Sequence, residues 1–141
     1  MVKDEKTMII DKLLLDNVTA QAKASPRLRM NYNFHQSLDE KCHRFLNAVE
    51  PGTEVPIHRH PTKDETFVIL RGKVRVTTHR DDGSIIEAVV LCAEDGRYGV
   101  NILKGVRHTI EALESNSVIF ECKEGPFVEH EVDGILKVEK K

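Results

Sequence analysis

Between Arg27 and His35 the chain alternates apolar and polar residues without interruption. Leu28, Met30, Tyr32 and Phe34 fall on one side, and Arg27, Arg29, Asn31, Asn33 and His35 on the other. That period of two predicts a strand with two unlike faces. The stretch before it has a different period. Leu14, Val18 and Ala22 recur at four-residue spacing and predict a helix over 12–24. Ser25-Pro26 stops it, because proline disfavours helical geometry in the residue before it. Downstream, short apolar segments predict strands at 44–49, 54–60, 66–70, 73–79, 84–91, 98–103, 108–112 and 118–123. Pro51-Gly52, Arg71-Gly72, Asp81-Asp82-Gly83 and Gly125-Pro126 punctuate them, and the third of these predicts a hairpin. Many short strands behind a single helix predict an all-β barrel or sandwich. Residues 1–6 read as a flexible tail, 7–133 as one domain and 134–141 as a second tail, with no internal repeat.

A length of 141 residues with 40% hydrophobic residues suits one domain around one core. The net charge of −2 gives no general attraction to nucleic acid or anionic membrane. No apolar run approaches the ~20 residues that span a bilayer. The start, MVKDEKTMII, does not read as a signal peptide. Cys42, Cys92 and Cys122 are odd in number and far apart. That pattern argues against a disulfide framework or a zinc knuckle, and the expectation is free thiols in a reducing, cytoplasmic setting.

The strongest chemical signal is Gly52-x5-His58-x-His60-x4-Glu65-x6-Gly72, followed by Gly105-Val106-Arg107-His108. Two histidines two apart on a strand share a face, so their imidazoles can converge on one ion. Glu65 supplies an oxygen from a neighbouring strand, and His108 a third imidazole. Three nitrogens and one carboxylate suit a first-row divalent metal such as zinc, nickel, iron or manganese. Asp64 is the alternative carboxylate, but alternation points only one of the pair inward and the spacing favours Glu65. Arg59 reads as a surface charge.

The spacing from Gly52 to Gly72 resembles the first cupin motif, and Gly105 to His108 resembles the end of the second. Leu103 stands where that second motif usually has proline, and Ala112 where it usually has asparagine. The resemblance implies a single-domain double-stranded β-helix, or jelly-roll barrel, with one metal held by His58, His60, Glu65 and His108.

The polar face before the motif is a dense donor array. Asparagine is depleted in strands, and arginine grips carboxylate or phosphate with two bonds. Arg29, Asn31, Asn33 and His35 are therefore candidate binders of an oxygen-rich or anionic ligand, with a plain solvent-facing strand as the alternative. Lys123 and Glu121, which share a face by alternation, are candidate borders of the same pocket, with an exposed ion pair as the alternative. Tyr98 is a candidate proton donor, with a place in the barrel wall as the alternative. Arg29-x-Asn31-x-Asn33-x-His35, the H-R-H segment and Glu121-x-Lys123-x-Gly125-Pro126-Phe127 together are similar to the WbuC family of cupin-fold metalloproteins. That resemblance implies a setting among bacterial polysaccharide genes and weakly a sugar or nucleotide-sugar ligand. His43, His79 and His130 have no companions at ligand spacing.

The expected function is a metal-dependent enzyme acting on a small oxygen-rich molecule by isomerisation, epimerisation, hydrolysis or oxygenation. A non-catalytic ligand-binding or sensing module is the alternative, and a purely structural metal a third. Free strand edges admit pairing into a homodimer.

Overall fold

The computed structural model of the chain describes residues 6–127. The predicted tails at 1–6 and 134–141, and His130, lie almost wholly outside these residues. The element order is α1 (Lys12–Ala24), β1 (Arg29–Asn33), β2 (Cys42–Val49), β3 (Glu65–Arg71), β4 (Val74–His79), β5 (Ile85–Leu91), β6 (Gly99–Ile102), β7 (Arg107–Ala112) and β8 (Ser117–Glu124).

Helix α1 begins and ends where its capping chemistry dictates. The Asp11 side chain accepts from the Leu14 N–H, satisfying an otherwise unpaired donor, and the Ser25 N–H closes the last turn onto Ala22. Its buried stripe of Val18, Thr19 and Ala22 lies on the outer face of a sheet. There Val18 and Ala22 pack with Leu46, Ala48 and Val118 over the half-buried Met30, Tyr32 and Phe34. Arg71 pins the helix in place, with Nη1 2.6 Å from Asp16 Oδ1 and Nη2 donating to Thr19 Oγ1 at 2.9 Å.

The strands form two antiparallel sheets, ordered β1-β2-β8-β3-β6 and β5-β4-β7. The expected jelly roll takes the form of two sheets around a shared core: Val49, Phe67, Ile69, Ile102 and Ile119 from one sheet meet Val74, Val76, Leu91, Ile110 and Ala112 from the other. Gly72 makes the β3–β4 turn with φ +83°, and a Cβ there would come within 2.3 Å of Ser117 Oγ. Only glycine fits both demands.

The predicted strand at 54–60 differs. The segment is extended loop, with Ile57 and His58 alone in a β-bridge, formed between His58 and His108. Pro56 and Pro61 cannot donate to a ladder, which limits this stretch to the residues between them. The predicted strand through His35 also ends early, at Asn33, where the chain bends away.

Candidate metal centre

One face of the five-stranded sheet carries the polar residues that the apolar core leaves uncovered. The register sets Lys123 directly between His43 on β2 and Glu65 on β3, and Glu121 between Phe45 and Phe67. Asn31 on β1 stands opposite Asn47 on β2. Apart from His43, these side chains border a cavity of about 560 Å³ whose far wall is formed by His58, His60, His108 and Ile110. Arg27, Arg29 and Lys123 give the cavity a cationic side.

At one end, His58, His60, Glu65 and His108 bring one donor atom each to within 4.8 Å of one another. His58 and His108 are locked by reciprocal backbone hydrogen bonds, His58 N to His108 O at 3.0 Å and His108 N to His58 O at 2.8 Å. Each also directs Nδ1 at a carbonyl of its own chain: His58 to Pro56 O at 2.8 Å and His108 to Val106 O at 2.9 Å. A proton held on Nδ1 leaves the Nε2 lone pair free to ligate. Glu65 is 3% and His108 1% exposed, so water does not satisfy them.

The donor set fits a divalent cation. Glu65 Oε1 lies 2.6 Å from His60 Nε2 and 3.2 Å from His108 Nε2. Yet among the described residues neither Glu65 Oε1 nor His108 Nε2 has an aligned hydrogen-bond partner. Buried polar atoms crowded together without partners are costly, and a cation among them would satisfy all four. Electrostatics prepare the same state. Burial, reinforced by the charge of His108, pushes the His58 imidazole down to about 4, keeping it neutral and able to ligate. Burial pushes the Glu65 carboxyl up, but the imidazoles of His108 and His60 together outweigh it and hold the group well below the usual carboxylate range.

Asp64 is exposed and accepts from the Lys104 N–H at 2.7 Å, so Glu65 is the carboxylate that faces the histidines. Arg59, expected at the surface, is half-buried with Nε lacking a partner.

Of the residues expected to bind ligand, Arg29, Asn31 and Lys123 line the cavity, and Asn33, His35 and Tyr98 do not. Because β1 stops at Asn33, alternation no longer governs His35. It is buried instead, stacked on His43 with ring centroids 4.2 Å apart, and its Nδ1 accepts from the Arg44 N–H at 3.2 Å. Tyr98 precedes β6 and is 63% exposed.

Arg27, from the same polar face, also lines the cavity, as does Glu121; Asn47 lines it with no role assigned from the sequence. Asn47 is the lone polar residue within the apolar run Phe45-Leu46-Asn47-Ala48-Val49, a signal that could have singled it out. Its Nδ2 donates to Glu121 Oε2 at 3.0 Å, and its Oδ1 is buried without a partner. Glu121 is 6% exposed; burial first, then the nearby Glu65 charge, pushes its carboxyl up to about 8. Arg29 Nε, also buried and unpaired, adds a free donor to the same wall.

The fold has solved counterparts. The capsular polysaccharide assembling protein CapF from Staphylococcus aureus is similar with TM-score 0.61 and 24% identity, over 77% of this chain and 29% of that one. The chain thus spans under a third of CapF. The cupin domain of Schizosaccharomyces pombe Cnp3 is similar with TM-score 0.55 and 14% identity, over 77% of this chain and 73% of that one. A putative sugar phosphate isomerase from Acidithiobacillus ferrooxidans is similar with TM-score 0.55 and 17% identity, over 69% and 59%. No curated protein matches the chain. These likenesses identify the fold as a cupin. Residues 10–91 match the family described as "Domain of unknown function (DUF6016)", and the chain belongs to that family.

Proposed function

We propose that the protein is a divalent-metal-dependent enzyme acting on a small, anionic, oxygen-rich molecule of carbohydrate type. The observation that carries this reading is the placement of four converging ligand atoms at one end of a cavity whose adjoining wall bears Arg29, Asn31 and Lys123. A bound divalent ion would polarise a carbonyl or hydroxyl of the substrate or acidify a bound water.

The chain's own residues supply the rest. Arg29, with Nε unpaired, and Lys123 attract and orient an anionic group. Asn31 donates to substrate oxygens, and the free Oδ1 of Asn47 accepts from a hydroxyl. Glu121, held at Oε2 by Asn47, is placed to hold or receive a proton at its carboxyl. A residue of this kind favours an enzyme over a module that only binds, since proton transfer needs a group poised near neutral pH.

The carbohydrate character draws support from the names of two similar proteins, one assembling capsular polysaccharide and one a putative sugar phosphate isomerase. The WbuC-like sequence features point the same way. The test is a turnover assay of the metal-loaded protein against nucleotide sugars, sugar phosphates and sugar acids, with product followed by mass spectrometry. Metal-dependent product from an anionic sugar is expected. Tight binding with no product from any of them would favour the binding module.

A further inference from the structure

Two thiols meet on the face of the five-stranded sheet that points away from the metal centre. Cys42 opens β2, and Cys122 lies near the end of β8. In the β2–β8 register Cys42 stands opposite Glu124 and Arg44 opposite Cys122, so the cysteines are diagonal neighbours. Diagonal side chains on one face can touch, and here the Sγ atoms lie 3.9 Å apart. Alternation identifies the face. Leu46, in step with Cys42, and Phe120, in step with Cys122, pack beneath α1, whereas Phe45, Glu121 and Lys123 line the cavity.

Access suits a reactive pair. Cys42 is exposed and Cys122 half-buried, while Cys92 is buried elsewhere. Redox-responsive thiols are typically exposed and sit beside a second, resolving cysteine. Burial and the adjoining Cys42 push the Cys122 thiol up, only partly opposed by the Arg44 cation, so the more exposed Cys42 is the one that attacks first.

We propose that Cys42 and Cys122 form a modifiable dithiol, which a low-molecular-weight disulfide such as glutathione disulfide converts into an intramolecular disulfide. The Cys42 thiolate attacks one sulfur of glutathione disulfide, forming a mixed disulfide and releasing one glutathione thiolate. The Cys122 thiolate then attacks the Cys42 sulfur, closing the protein disulfide and displacing the second glutathione thiolate. The protein loses two electrons and two thiol protons, and one glutathione disulfide becomes two glutathiones. Because a disulfide bond is about 2.05 Å long, the sulfurs must approach by about 1.9 Å. The location permits it, since the Cys42–Glu124 pair is the terminal rung of the β2–β8 ladder. Closure would tie β2 to the part of β8 that presents Glu121 and Lys123 to the cavity.

The test treats the folded, full-length protein with excess glutathione disulfide, quenches it in acid, alkylates remaining thiols under denaturing conditions and maps the peptides by mass. The expected result is a loss of two hydrogens per chain, a Cys42–Cys122 linked peptide and alkylation at Cys92 alone. Cys122→Ser should stop at glutathione on Cys42, and Cys42→Ser should form no internal link. Glutathione retained on Cys42 of the unmutated protein, alkylation of all three cysteines, or linkage only between chains would each overturn the proposal.

Discussion

His58 and His108 face each other as β-bridge partners, exchange both backbone hydrogen bonds, and each turn Nδ1 to the carbonyl two residues earlier, Pro56 and Val106. The same local device, used twice, holds both rings in the cluster with Glu65, whose Oε1 lies 3.2 Å from His108 Nε2. Their rings lie 4.4 Å apart between centroids.

Acid should act on this cluster through His58. His58 is held at about 4 in the fold against 6.5 in the unfolded chain. Between those values the unfolded state binds more protons, so folding stability falls as pH drops from 6.5 towards about 4 and then levels off for this group. Glu65, also held below its ordinary value, adds a loss as pH drops below 4.5. Thermal unfolding of the metal-free protein across this range should show a falling Tm, flattened in His58→Gln. Metal loading should weaken over the same interval, because protonated imidazole does not ligate.

Glu121 has the opposite sign. Its folded value of about 8 exceeds the ordinary 4.5, so the folded state binds more protons between them and stability falls as pH rises through that window. Glu121→Gln, which keeps an acceptor for Asn47 Nδ2, should remove this alkaline decline and leave metal content unchanged. If Glu121 is the proton carrier, the same variant should also lower kcat by about 100-fold or more. A Tm profile identical to that of the unmutated protein would show that Glu121 is not protonated in the fold.

Arg29 can be separated from the metal ligands. Arg29→Gln removes a cation whose Nε has no partner among the described residues. Affinity for an anionic ligand should fall by about 10- to 100-fold, the range of one lost charged hydrogen bond. Bound metal and Tm should stay the same. Calorimetric titration with a sugar phosphate or a sugar acid checks the first, and elemental analysis the second.

Gly72→Ala tests the turn that joins the two sheets. An added Cβ would sit 2.6 Å from Ser117 Cα, a backbone atom that cannot yield easily, at a φ of +83°. The expected cost is at least ~2 kcal/mol, read as a lower denaturant midpoint with unchanged slope.

Much of this architecture is legible locally. The helix bounds of 12–24 agree because a cap at Asp11 and the Ser25-Pro26 stop are both written in neighbouring residues. The strands from 66 onward fall within a residue or two of their expected ends, because turn residues bracket each one. His58, His60, Glu65 and His108 come together as their spacing and the framing glycines lead one to expect, although His58 and His60 do so from a loop and a single bridge rather than from the predicted strand. Other features depend on tertiary context. The bend after Asn33 removes His35 from the cavity, and only its stacking on His43 explains where it goes. The Asn47–Glu121 hydrogen bond joins residues 74 positions apart, a pairing set by the β2–β8 register and not by any local pattern. The bridge between His58 and His108 replaces a whole predicted strand, because prolines on both sides limit the backbone donors.

Titration of metal-free protein with zinc at neutral pH, read by calorimetry and elemental analysis, shows whether His58, His60, Glu65 and His108 hold one divalent ion. One ion per chain is expected. Affinity should fall by more than the ~100-fold typical of losing an outer-shell partner in His60→Ala or Glu65→Gln, both still folded by circular dichroism. Equal zinc binding in the unmutated protein and in both variants would contradict this assignment.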